Sequence, residues 1–173
     1  MSRTKKIFRN IVIIGILFFM FLKISGLYLS PLSAYRNSER RAHYGPSEII
    51  HIEDSDKDKL ILAKYDKWIS STTIYRNLFF FWRSGPIDIA PDVDPSHGIT
   101  YTWTAYDGDF MIFGIVNDKD IVKVQLVLEN GEAFSQSDFY DEDMFILKSK
   151  TYEGAMALKG YDKDNNIIFE KPL

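Results

Sequence analysis

Ile11-Val12-Ile13-Ile14-Gly15-Ile16-Leu17-Phe18-Phe19-Met20-Phe21-Leu22 is an uncharged run in which every residue except Gly15 is strongly apolar. As a helix it would be apolar on all sides, which suits a lipid bilayer or the centre of a large core but not the surface of a soluble domain. Twelve residues make a helix of about 18 Å, typical of a signal-peptide apolar region and short of a hydrocarbon core of about 30 Å. Continued through Lys23 to Leu29, the segment reaches about 28 Å, with the Lys23 ammonium turned toward the interface. Cleavage requires a small-x-small site, and Leu32-Ser33-Ala34 and Ile24-Ser25-Gly26 both open on a large residue. A transmembrane signal anchor over residues 11–29 is therefore expected, with a cleaved signal peptide and a buried soluble helix as the weaker alternatives.

Charge orients the segment. Residues 1–34 carry Arg3, Lys5, Lys6, Arg9 and Lys23 and no acid, so the formal charge of −3 divides into +5 there and −8 on the remainder. Four of those cations precede the run and one follows it, which places a basic N-terminus, residues 1–10, in the cytoplasm and the rest of the chain in an extracytoplasmic position. The lipid bilayer is thus the first expected partner. An acidic remainder, with a sequence pI near 5.6, argues against nucleic acid as a partner. The absence of cysteine excludes disulfides, thiolate metal sites, a cysteine nucleophile and a thioether-linked lipid.

Residues 30–46 read as a polar, helix-compatible stalk closed by Gly45-Pro46, with Arg36, Arg40 and Arg41 near the membrane surface. From residue 47 to 173 short apolar runs alternate with turn residues at a spacing near ten, the pattern of an antiparallel β-sandwich or barrel-like domain. Nine to ten strands are expected. Ile99 to Tyr106 alternates strictly, and Asp107-Gly108 and Asn130-Gly131 are hairpin turns by composition. Asn77 to Arg83 reads as an aromatic strand, and Gly85 to Gly98 as a long loop or edge. No sustained helical period follows the stalk, so a parallel sheet with a nucleotide crevice is not expected.

Candidate chemistry is sparse. Asp54, Asp56 and Asp58, then Asp162, Asp164 and Asn166, resemble the opening of a calcium loop, but Lys59 and Ile167 stand where the sharp turn needs glycine. Together with the acidic group at Asp138, Asp141, Glu142 and Asp143, they read as turns, and no metal or cofactor is expected. Asp92, Asp94 and His97 share a proline-rich loop and offer oxygen and imidazole groups for surface binding. The aromatic strand reads first as a central strand buried on both faces; exposed instead, Phe80, Trp82 and Arg83 offer aromatic contact area beside a cation for a protein, a glycan or a lipid surface. No nucleophile elbow, Ser-x-x-Lys, His-Glu-x-x-His or phosphate-binding glycine loop occurs, so no catalytic residue is assigned.

Tyr44-Gly-Pro-Ser-Glu-Ile-Ile-His51, Lys64-Tyr-Asp-Lys-Trp-Ile69, Phe80-Phe-Trp-Arg83 and Lys159-Gly-Tyr-Asp162 carry a loose resemblance spread over most of the chain. In these residues and in its plan it resembles small single-pass membrane-anchored proteins of Gram-positive bacteria with a β-rich extracytoplasmic domain. The resemblance implies location and architecture and transfers no activity. A binding, sensing or envelope-associated module is the expectation, with a protein or an envelope polymer as possible partner. The alternatives are a subunit or regulator of a membrane complex and, less favoured, a hydrolase whose site is assembled only in three dimensions.

Overall fold

In the computed structural model, which describes residues 3–55, 57–77, 79–106, 109–150 and 154–173, the chain is mainly β with two helices ahead of eleven described strands. Helix α1, Arg3–Ser25, is one continuous apolar rod of which only Leu22 is buried. Its end follows from Gly26, which takes the left-handed conformation (φ 68°) and lets the Leu27 amide donate to the Leu22 carbonyl at 3.1 Å. The two leucines pack together with Phe81, as the hydrophobic contact of a glycine-terminated helix requires.

Helix α2, Pro31–Ala42, begins where Ser30 caps it, accepting from the Ser33 amide at 3.1 Å, with Pro31 in the first turn, where its missing N–H costs nothing. The segment read as a stalk is instead part of the domain. Ala34 and Tyr35 are fully buried against Ile61, Ala63, Ile74 and Trp82 of the first sheet.

That sheet is an antiparallel meander of β1 Glu48–Asp54, β2 Asp58–Tyr65, β3 Trp68–Asn77 and β4 Phe81–Ile89. A second sheet orders β5 Ile99–Tyr106, β6 Asp109–Val116 and β9 Met144–Ser149, and a third orders β11 Ile167–Pro172, β10 Ala155–Tyr161, β7 Lys123–Leu128 and β8 Ala133–Gln136. The last two sheets, of three and four strands, face each other in a sandwich-like arrangement across a shared core.

The second sheet is the middle layer. Along β6, Phe110 and Ile112 point into the sandwich core while Phe113 and Ile115 point into a separate core shared with Leu60, Leu62 and Ile69 of the first sheet. On β9 the same alternation sends Phe145 and Leu147 one way and Met144 and Ile146 the other. Gly114 permits this packing, because a Cβ there would stand 2.5 Å from the Thr100 carbonyl and 2.8 Å from the Phe145 ring. The fold is therefore a sandwich with a third sheet and a helix laid on one face, not two sheets alone.

Two local expectations change. The run at 77–83 is not one strand, since Phe79 and Phe80 sit in the turn between β3 and β4; β4 then continues through Gly85-Pro86 to Ile89 as an edge strand, in line with the edge reading of that stretch. At Asn130-Gly131 only the glycine has positive φ (85°), and the Gly131 amide donates to the Leu128 carbonyl, giving a type I turn closed by a glycine bulge. Asp107-Gly108 lies outside the described residues.

Candidate functional site

Where the first and second sheets splay apart they leave a cleft of about 560 Å³. Beside the cleft the first sheet is irregular. The β3–β4 register shifts between Thr72 and Ile74, opposite Gly85-Pro86. A Cβ at Gly85 would come within 2.9 Å of the Tyr75 ring and 3.0 Å of the Thr73 carbonyl, so glycine lets Tyr75 lie across the bulge. Leu60, Pro86, Phe110, Met111 and Phe134 give the cleft apolar walls, and Asp58, Asp88, Lys148 and Lys150 give it charges of both signs. Hydroxyls of Ser55, Thr73, Tyr75, Thr104 and Ser149 complete the lining.

Two of the charged groups are tied down. Ser55 donates to the Asp58 carboxylate at 2.6 Å, and Lys148 reaches Glu53 on β1 at 2.7 Å. Asp88 is half-buried, and burial pushes its carboxyl above the ordinary carboxylate range, against a smaller opposing effect of a hydrogen bond with Thr104. A group whose proton is held more tightly in the folded state stabilises the fold below its unfolded pKa and loses that contribution as pH rises through the folded one. Asp88→Asn should therefore raise the melting temperature slightly at neutral pH, with the gain vanishing below the usual carboxylate range. A series of thermal melts against pH checks this, and a loss of stability at neutral pH would contradict it.

The lining contains none of the three histidines: His43 caps α2, His51 stacks on Tyr140 at 3.7 Å, and His97 lies in the β4–β5 loop. An apolar cavity of this size with a few convergent polar groups suits capture of a small amphipathic molecule.

The residues singled out from sequence lie elsewhere. Trp82, 9% exposed, packs under α2 with the Arg76 guanidinium 5.1 Å and the Lys59 ammonium 5.7 Å from its ring. Its backbone pairs with Tyr28 in both directions, at 2.7 and 2.8 Å. Phe80 is exposed in the neighbouring turn, and Arg83 is exposed opposite Tyr75 on β4. Asp92 accepts from the Lys67 ammonium and the Trp68 indole, contacts that hold its carboxyl below the usual range. Asp94 is engaged separately, by the Ser96 hydroxyl at 2.7 Å and His97 Nδ1 at 2.9 Å. Its loop is pinned by the Asn117 amide, which donates to the Asp94 and His97 carbonyls. Asp92 and the Asp94–His97 pair thus serve different neighbours and do not converge.

The acidic loops behave as turns. Asp162 accepts from the Asn166 and Asp164 amides and from the Asn166 side chain, which lowers its carboxyl below the usual range. Glu142 pairs with Lys64 and Asp143 with Lys119, while Asp56 lies outside the described residues.

A fold of an N-terminal apolar helix with antiparallel sheets in a sandwich-like stack, holding an inter-sheet cleft, is the class these features define. Compared with family models, with curated proteins and with solved structures, the chain matches none.

Proposed function

We propose that the chain is a single-pass membrane-anchored binding module that holds its β domain on the outer side of the cell membrane and offers the inter-sheet cleft to a small amphipathic ligand. One observation carries the tether: α1 is long and apolar enough to cross a bilayer, and Ile7, Phe8 and nearly every large apolar residue from Ile11 to Ile24 is exposed. Its 23 residues span about 35 Å, enough for the hydrocarbon core with a margin at each end. A soluble protein leaves no comparable surface bare. The excess of Arg3, Lys5, Lys6 and Arg9 over Lys23 supports a cytoplasmic N-terminus.

Retention of the helix is supported from the other side. Scission after Gly26 would strip Leu22 from Leu27 and Phe81, and scission after Ala34 would cut into α2 at a fully buried residue and remove the Tyr28–Trp82 pairing. For the cleft, apolar walls with a few hydroxyls and charged groups of both signs support binding of a molecule with one apolar and one polar part.

A C-terminally tagged chain expressed in Gram-positive cells tests the placement. It should stay in the membrane pellet through an alkaline carbonate wash with the mass of the tag added to an uncut 20.1 kDa chain, and lose the tag when intact protoplasts meet protease. Release by carbonate, a shortened soluble product or a protected tag would each overturn it.

A further inference from the structure

We propose that the turn between β3 and β4 is a second membrane-contacting element, in which Phe79 and Phe80 enter the outer leaflet beside α1; the inference rests on α1 spanning the bilayer. Phe79 is 92% exposed and Phe80 61%, and Phe79 sits at φ 64°, a left-handed conformation that a bulky side chain rarely adopts. A surface turn made for water has no use for two bare phenylalanines held outward.

What covers them follows from the next residue. Phe81 is buried against Leu22 and Leu27, and its ring centroid lies 6.4 Å from that of Phe18 and 4.4 Å from that of Phe80. Phe18 stands seven residues before the end of α1, about 10 Å along the helix axis. The turn therefore lies alongside the last two turns of α1, not above its end. If Phe18 is in hydrocarbon, a ring packed on it is close to the same depth, and the neighbouring Phe80 joins the same apolar surface. Phe21 and Ile24, both exposed on α1, extend that surface. The polar flank agrees. Arg76 and Arg83 are exposed on β3 and β4 and lie one and two residues along the strands from the pair Asn77 and Phe81, at about the distance that separates the hydrocarbon boundary from lipid phosphate. Half-buried Tyr28, held by backbone hydrogen bonds to Trp82, supplies an aromatic ring with a polar tip at that level.

The consequence is orientation. A helix alone lets the domain swivel, whereas a helix and an adjacent phenylalanine turn fix one edge of the first sheet to the membrane.

The natural absence of cysteine makes the test direct. Single-cysteine variants F79C, F80C, F19C and K163C of the full chain are nitroxide-labelled and reconstituted in vesicles of phosphatidylcholine and phosphatidylglycerol. Collision rates with oxygen and with a water-soluble nickel chelate are then compared. Labels at 79 and 80 should favour oxygen, as the label at 19 does, while the label at 163 favours the chelate. A label at 19 in lipid with those at 79 and 80 in water overturns the inference and leaves the anchor standing, whereas water at all four positions overturns both. Shielding at 79 and 80 that disappears as the lipid-to-protein ratio is raised would assign the turn to a second copy of the chain and overturn the lipid contact.

Discussion

Glu39→Ala should destabilise the domain by about 3 kcal/mol, lowering the melting temperature of the detergent-solubilised chain by about 6–12 °C. Glu39 is 2% exposed at the end of α2, and its carboxylate accepts from the Ser47 amide at 2.9 Å, the Ser47 hydroxyl, and Arg36 Nη1 at 2.8 Å. The Ser47 hydroxyl proton is thereby committed, so Tyr35 must donate to Ser47 Oγ, at 2.6 Å. Burial pushes the Tyr35 hydroxyl well above its ordinary range, which keeps that proton in place at any physiological pH. Arg36 closes the network by donating to the Ser47 carbonyl at 2.9 Å. The carboxylate thus stitches α2 to the segment that enters β1. Gly45 completes the fit, since a Cβ there would lie 2.8 Å from Glu39 Oε1. Alanine leaves the Ser47 N–H buried without its acceptor and opens a void, while half-exposed Arg36 can turn to water, which is why the cost falls at the low end for a broken buried pair. Glu39→Gln keeps one acceptor and turns a second donor toward existing donors, so an intermediate loss of about 1–2 kcal/mol is expected. Less than 1 kcal/mol for the alanine variant would show that the network does not hold the helix.

This network marks the boundary of what the sequence reveals. Tyr35 to Tyr44 is polar enough to read as a stalk, because Glu39 and Arg36 carry charge and nothing in one dimension says that the charges face each other under a sheet. The same holds for Ser70, Ser71 and Thr72, polar residues that the fold buries in β3. Alternation is legible where one face is apolar and the other polar, as in β7, where Val124, Leu126 and Leu128 enter the sandwich core as their period requires, while Val122, on the same face by alternation, falls ahead of the strand and is exposed in favour of Ile121. It fails where tertiary stacking covers both faces.

The aromatic run was misread for a related reason. Leu78-Phe79-Phe80-Phe81-Trp82 contains no glycine or proline to announce a turn, so composition favours a strand, and only the packing of Phe81 on α1 explains a turn built of phenylalanines. The cleft was out of reach altogether. Its walls come from seven strands brought together by sheet stacking, and the one local hint, Gly85-Pro86 ahead of Asp88, reads equally well as a loop.

Phe113→Ala should cost about 4 kcal/mol, a fall in melting temperature of about 8–16 °C, because the ring is fully buried between the first and second sheets and its neighbours cannot close over the space. The form of the transition is as informative as its size. The second sheet supplies one face to each core, through Phe113 and Ile115 on one side and Phe110 and Ile112 on the other. Loss of the first sheet would expose Phe113, Ile115, Met144 and Ile146 as one apolar surface, and loss of the sandwich would leave the meander with only α2 to cover it. Each half keeps one core on separation, the sandwich its own and the meander its contact with α2, but both lose the core they share, so unfolding should remain a single cooperative step even in the weakened variant. Tryptophan emission is weighted toward the first sheet, which holds Trp68 and Trp82, with half-exposed Trp103 on β5 adding a contribution from the second, whereas backbone circular dichroism is weighted toward the other two sheets, where most strands lie. Coincident midpoints are expected. An early tryptophan transition followed by a later loss of β signal would mean that the first sheet and α2 form an independent unit docked on a self-sufficient sandwich, and Phe113 would then be an interface residue whose loss separates two domains.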